Sequence, residues 1–246
     1  MTLDRVQLRE FAERGFIVVS NVIPADLRAA AMRAIDDMIS RQPPPTEKRG
    51  FHFYWLNDVE QPDTMLSLLT DSGVIGLVES VIAPLRLLLP RQVQISLNIQ
   101  PWNHRPGGPH LDGMTPPEPS GRPGTFTLLA GVILTDQTEP DMGNLWVWPR
   151  SHKVCAAYLR EHGPDTLHQI AHPTYPMAPP EQVLGRAGDL LLAHYMLGHN
   201  MGGNLSSSVR RVVYFRLKSE AHEAHWRDYV RDELLEFAAV RSATAS

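Results

Sequence analysis

His110-Leu111-Asp112 sets an imidazole and a carboxylate two residues apart, directly after the turn-forming run Arg105-Pro106-Gly107-Gly108-Pro109. In extended chain, residues i and i+2 project to the same face, so both side chains can reach one ion. Alone, a His-X-Asp pair is a weak signal in a chain with 11 histidines. A two-His, one-carboxylate triad, the ligand set of non-haem Fe(II) oxygenases, needs a second imidazole from another strand. The stretch 188–200 offers His194 and His199. His194 sits in the apolar run Leu190-Leu191-Leu192-Ala193 and reads as a satisfied core histidine. His199 lies past that run, beside Gly198 and ahead of Gly202-Gly203, where a ligand can reach an open mouth. The expected catalytic metal ligands are therefore His110, Asp112 and His199. Three ligands on one face of an octahedral ion leave the other positions free for a bidentate cosubstrate and O2, whereas zinc hydrolysis favours four-coordinate sites with one open position.

A keto-acid cosubstrate such as 2-oxoglutarate chelates iron at one end and leaves a distal carboxylate that needs a cation. Arginine suits that purpose, because its planar fork pairs bidentately with a carboxylate. Arg210 and Arg211 follow His199 in a strand-like run. Neighbouring strand residues face opposite ways, so only one of the two can point inward.

These residues must be positioned by a scaffold. Helical pattern is expected over residues 3–14, 25–40, 62–69, 73–82 and 221–240, with a short strand at 16–19 and a Pro-rich loop at 42–46. Strands are expected at 85–90, 92–100, 126–135, 144–148, 182–184, 189–195 and 210–217, separated by Gly/Pro turns. The series predicts a mainly β domain over residues 1–246. Its core, at about 85–217, is a double-stranded β-helix of the jelly-roll or cupin-like kind, with helices outside it. The segment 114–124, with four prolines, is expected to be a long loop near the site.

Composition narrows the function classes. With 43% hydrophobic and 20% charged residues, the chain reads as a soluble globular protein. It shows no run long enough to span a membrane and no secretory signal, so a membrane is not an expected partner. A net charge of −4 with no basic tract argues against nucleic acid. Cys155 is the single cysteine, which excludes an intrachain disulfide and fits a reducing cytoplasm.

Beyond the triad, several segments resemble the phytanoyl-CoA dioxygenase family of Fe(II)/2-oxoglutarate oxygenases. Residues Phe11-Ala12-Glu13-Arg14-Gly15-Phe16-Ile17-Val18-Val19 look like its opening helix and strand. Gly143-Asn144-Leu145-Trp146-Val147-Trp148-Pro149-Arg150-Ser151-His152-Lys153 is similar to its segment ending Pro-Gly-Ser-His-Lys. Gly188-Asp189 through His199 matches its strand ending in the distal ligand, and Asn204-Leu205-Ser206 its Asn-X-Ser or Asn-X-Thr. The resemblance implies the cofactors Fe(II), 2-oxoglutarate and O2. It also implies that Arg210, eleven residues after His199, is the 2-oxoglutarate arginine. Gln94, Asn98 and Ser206 are the further cosubstrate-binding positions it suggests.

The chain departs from the family at Met142, at Arg150 where a glycine is usual, at Asn200-Met201 and in the 114–124 insert. The reaction implied is hydroxylation of an unactivated C–H bond in a small-molecule substrate, with succinate and CO2 as co-products. Desaturation, epoxidation and ring formation are alternatives on the same scaffold. A halogenase would lack Asp112, and a non-catalytic cupin-like binding protein would have no use for Arg210. Tyr54, Trp55, Trp102, His104, Arg105 and Trp146 are the candidates for an aromatic, partly basic entrance.

Overall fold

A computed structural model describes residues 1–45, 50–114, 124–167 and 176–245. Helix α1 (Arg5–Arg14) starts at Asp4, whose carboxylate accepts from the Gln7 amide while the Gln7 side chain reaches back to the Asp4 N–H. Gly15, in the left-handed region at φ 83°, ends it and turns the chain into β1 (Phe16–Val19). Then come α2 (Ala25–Arg41), β2 (Phe51–Asp58), α3 (Thr64–Thr70), α4 (Val74–Ile82), β3 (Leu87–Leu88) and β4 (Gln92–Ile99). After these follow β5 (Leu128–Ile133), β6 (Leu145–Val147), α5 (Ser151–His162), β7 (Glu181–Gln182) and β8 (Leu190–His194). The chain closes with β9 (His199–Met201), β10 (Arg210–Ser219), α6 (His222–Tyr229) and α7 (Ala238–Thr244).

The strands form two antiparallel sheets. The larger has the order β1-β8-β5-β10-β4-β2, with β3 on the end of β10, and the smaller has the order β7-β6-β9. Strand alternation divides the larger sheet's side chains between two cores. Ile95, Leu192, Val213 and Phe215 face the helices, meeting Phe11 of α1, Ile35 of α2, Leu68 of α3, Val78 of α4 and Val240 of α7. Leu129, Ile133, Leu191, Val212 and Tyr214 face the smaller sheet, meeting Leu145 and Val147. The result is a jelly-roll-like pair of sheets, not a closed barrel, with helices on the outer face.

The structure differs from expectation in several places, β9 among them, which matches no expected strand. The larger sheet reaches beyond the 85–217 core, because β1 pairs β8 and β2 pairs β4 along its whole length. Expected strand 85–90 shrinks to Leu87–Leu88, hemmed in by Pro84 and Pro90. Helix α5 follows β6 where no helix was read. The expected closing helix breaks into α6 and α7 because Glu236 turns inward between them. Its carboxylate accepts from Thr127 Oγ1 at 2.6 Å and Ser219 Oγ at 2.5 Å, and lies 3.0 Å from His222 Nδ1. Residue 46 of the expected loop, and all of the 114–124 insert except Met114 and Gly124, lie outside the described residues; the Met114 N–H donates to the Gly124 carbonyl at 2.9 Å.

Candidate metal centre

His110 and His199 form a two-residue antiparallel bridge. The His110 N–H donates to the His199 carbonyl at 2.9 Å and the His199 N–H to that of His110 at 3.2 Å. Directly paired residues share a face, which brings the two rings to 4.6 Å between centroids. Asp112, two residues on, joins them: its Oδ1 is 3.4 Å from His110 Nε2 and 3.5 Å from His199 Nε2. The three donor atoms lie within 4.8 Å of one another, a spacing that one cation can serve. His199 Nδ1 faces the Leu197 carbonyl at 3.0 Å. That contact places the ring proton on Nδ1 and leaves Nε2 as a lone-pair donor.

Burial opposes ionisation of Asp112, but the two imidazoles and the Arg216 guanidinium prevail and hold its carboxyl well below the usual range. Burial likewise lowers His110, whereas His199 is raised because the Asp112 carboxylate outweighs its burial. His194, the other histidine considered, lies on the helix side. Its Nε2 is 2.9 Å from the Glu233 carbonyl and its Nδ1 accepts from the Met196 N–H at 3.0 Å, so it is satisfied within the core.

The triad opens onto a cavity of about 450 Å³. Tyr54, Trp102, His104, Gln94 and Arg216 are among its lining residues, with Asn200 and Met201 beside His199. Trp102 and His104 stack at 4.6 Å between ring centroids. Of the other entrance candidates, Trp55 packs into the helix-side core against Phe53. Arg105 sits over the Trp146 ring and pairs with Asp141, and neither residue lines the cavity.

Arg210 and Arg211 part company as strand geometry requires. Arg211 points to the helices and pairs with Asp36 at 2.7 Å. Arg210 points inward and is 1% exposed. Its Nε donates to Gln137 Oε1 at 2.8 Å, Nη1 to Asn98 Oδ1 at 3.1 Å and Nη2 to the Tyr214 hydroxyl at 2.7 Å. All three partners are neutral, and among the described residues no carboxylate pairs with this guanidinium. Tyr214, which it meets through Nη2, lines the cavity, whereas Arg210 itself does not.

Asn98 thus orients Arg210, and its Nδ2 donates to the Gly202 carbonyl at 2.8 Å. Gln94 lines the cavity but spends its Oε1 on Arg216 at 2.8 Å. Ser206 is away from the cavity lining, in a turn where its hydroxyl donates to Asn204 Oδ1 at 2.7 Å. Two glycines make room for this arrangement. A Cβ on Gly131 would stand 2.8 Å from Tyr214 Cε1. Gly143, at φ 85°, passes over Asn98 and Arg210, where a Cβ would meet theirs at 2.7 and 3.0 Å. Arg150, which replaces a usual glycine, also has positive φ, at 68°, so the family's glycine answers to backbone conformation.

Sequence reading missed Arg216, Tyr214, Gln137 and His52. The first two were accessible in principle: once Arg210 points inward, period 2 carries Val212, Tyr214 and Arg216 to the same face. His52, whose Nε2 is 2.8 Å from Ser96 Oγ, came from a strand that was not recognised. Burial, then the charges of Arg210 and His110, lower its pKa to about 4.

Two sheets of jelly-roll kind, with two imidazoles and a carboxylate converging on a cavity, are an arrangement that non-haem Fe(II), 2-oxoglutarate-dependent enzymes use. The chain belongs to the phytanoyl-CoA dioxygenase family, whose model matches residues 11–212. Among solved structures it is similar to HygX from Streptomyces hygroscopicus with nickel and 2-oxoglutarate bound, at 19% identity over 89% of this chain and 88% of that one, with a TM-score of 0.58. It is also similar to SnoN, a non-haem α-ketoglutarate-dependent epimerase from nogalamycin biosynthesis, at 22% identity over 85% and 80% of the chains and a TM-score of 0.60. The carbocyclase SnoK of the same biosynthesis matches at 20% identity over 89% and 85%, with a TM-score of 0.58. At these identities the likeness establishes the shared fold. No curated protein matches the chain.

Proposed function

We propose that this chain is an Fe(II)- and 2-oxoglutarate-dependent dioxygenase in which His110, Asp112 and His199 hold the metal. The observation that carries the reading is the convergence of those three donor atoms within 4.8 Å at the wall of the cavity. The donor set fits a divalent cation: two neutral nitrogens and one carboxylate held anionic by its surroundings. Bound iron supplies the chemistry that couples decarboxylation of 2-oxoglutarate by O2, giving succinate and CO2, to oxidation of a substrate C–H bond.

The chain's own residues do the rest. Arg210 would hold the distal carboxylate of 2-oxoglutarate, since a buried guanidinium with only neutral partners is an incomplete pair. Asn98 and Gln137 fix its plane. Gln94 and Ser206 are weaker candidates for cosubstrate contact, because each is committed to a neighbour. Tyr54, Trp102 and His104 would receive a small-molecule substrate at the mouth and exclude water from the triad. Hydroxylation is the outcome this reading favours; desaturation, epoxidation and ring formation would use the same groups with a differently placed substrate. A cytoplasmic setting belongs to the same reading, supported by the single buried thiol of Cys155.

Anaerobic Fe(II) titration in the presence of 2-oxoglutarate tests this, by the weak visible charge-transfer band of the chelate. The band should develop with one equivalent of iron, vanish in Asp112→Ala and His199→Ala, and persist in His194→Gln. A band undiminished without Asp112 and His199 but lost without His194 would overturn the assignment. A substrate screen scored by succinate release would then identify the reaction.

A further inference from the structure

The two oxygens of Asp112 have different surroundings. Oδ1 faces the two histidine Nε2 atoms, at 3.4 and 3.5 Å. Oδ2 accepts from Arg216 Nη2 at 2.6 Å. The same Nη2 donates to Gln94 Oε1 at 2.8 Å. Arg216 and Gln94 stand on neighbouring strands, β10 and β4, on the cavity face. The ion pair is largely shielded, with side-chain exposures of 13% for Arg216 and 17% for Asp112.

We infer that Arg216 is a positioning residue: it reserves Asp112 Oδ2, so that Asp112 meets a metal through Oδ1 alone, while Gln94 holds the guanidinium in place. This rests on the metal-site reading above. A carboxylate can bind a cation through one oxygen or chelate it through both. Chelation by Asp112 would take a position that a bidentate keto-acid and O2 need, and the facial arrangement would lose its purpose. A short, charge-assisted bond to Oδ2 disfavours that chelation, because the second oxygen would have to leave a shielded guanidinium. Arg216 is suited to the task by reach as well as charge. It lies six residues beyond Arg210 on the same inward face, so one strand would both orient the metal's carboxylate and grip the cosubstrate.

The test uses Ni(II) as a redox-inert probe with native protein, Arg216→Met, Arg216→Lys and Gln94→Leu. Crystal structures of the Ni(II)-loaded proteins should show Asp112 bound through one oxygen in the native protein and through both in Arg216→Met. By titration, Arg216→Met should hold Ni(II) at least as tightly as native, yet bind 2-oxoglutarate at least tenfold more weakly. Arg216→Lys should recover part of that loss, and Gln94→Leu should show a smaller change in the same direction. Should Arg216→Met fail to fold, the lysine and Gln94 variants carry the comparison. One-oxygen coordination retained in Arg216→Met, or native 2-oxoglutarate affinity in both other variants should that one not fold, would overturn the inference. So would Ni(II) affinity and thermal stability falling together with 2-oxoglutarate affinity unchanged, the mark of a structural ion pair. If native protein takes up no Ni(II) at His110, Asp112 and His199, the metal-site reading itself fails, which is a separate result.

Discussion

Arg210 and Arg211 are adjacent, chemically identical and opposite in consequence. Arg211 pairs with an Asp36 that is 60% exposed, on the helix side, and such pairs contribute about 0–1 kcal/mol. Arg210 is enclosed, and its partners are an amide oxygen on each of two side chains and a phenol. If it receives the cosubstrate carboxylate, removing it breaks a buried charge pair, a loss of roughly 3 to 5 kcal/mol. Arg210→Ala should therefore raise the 2-oxoglutarate Kd by about two to three and a half orders of magnitude, at 1.4 kcal/mol per factor of ten. Arg211→Ala should leave it within about threefold, and isothermal calorimetry on metal-loaded protein would show it. Equal losses in the two variants, or a greater loss in Arg211→Ala, would mean that the cosubstrate is held elsewhere.

At the scale of elements, β10 organises the site. It lies between β5 and β4, and its inward residues Arg210, Tyr214 and Arg216 face Asn98 and Gln94 on one side and Gly131 on the other. Gly131→Val would push a side chain onto the Tyr214 ring, whose Cε1 a Cβ already meets at 2.8 Å, with Leu191 Cβ behind it at 3.5 Å. Overpacking of this kind costs about 1–3 kcal/mol. It should also move the hydroxyl that accepts from Arg210. Urea unfolding should show a lower midpoint, and 2-oxoglutarate affinity should fall with it; native affinity in a destabilised variant would separate the Tyr214–Arg210 bond from cosubstrate binding. The strands that flank the site were legible from clean alternation at 92–100 and from a β-forming apolar run at 210–217, and so was the meeting of His199 with the His-X-Asp pair. What escaped was whatever depended on partners distant in sequence. Phe51 to Asp58 has an aromatic, alternating pattern, but its pairing with β4 is what makes it a strand. The break before α7 follows from Glu236 meeting Thr127 and Ser219 across the sheet, which no local pattern announces. Arg216 was unremarked because its partner, Asp112, lies 104 residues away.

Across the whole molecule, two buried imidazoles tie the segments near the chain's beginning and end to helix α5 and strand β8. His152 of α5 sets its Nε2 3.2 Å from the Ala12 carbonyl of α1, and His194 of β8 contacts the Glu233 carbonyl ahead of α7. Their rings lie 5.2 Å apart, and His194 also packs against Phe11 and Phe237. His194 must be neutral to accept from the Met196 N–H at Nδ1 while donating from Nε2 to Glu233. Burial lowers its pKa from 6.5 to about 4, despite the opposing Glu233 carbonyl and Glu236 charge. His152 is lowered well below the usual imidazole range, by burial and then by the charge of His194. Between about pH 6.5 and pH 4 the unfolded chain therefore binds protons that the folded chain refuses. Stability is full above pH 6.5 and is lost progressively as the pH falls, by about 3 kcal/mol from His194 alone at the lower end. His194→Gln can donate to Glu233 and accept from Met196 without titrating. Urea unfolding from pH 7.5 to pH 4.5 should show native protein losing stability more steeply than this variant, by up to one proton's worth of slope, about 1.4 kcal/mol per pH unit. Parallel curves for the two proteins would show that His194 does not link the fold to pH.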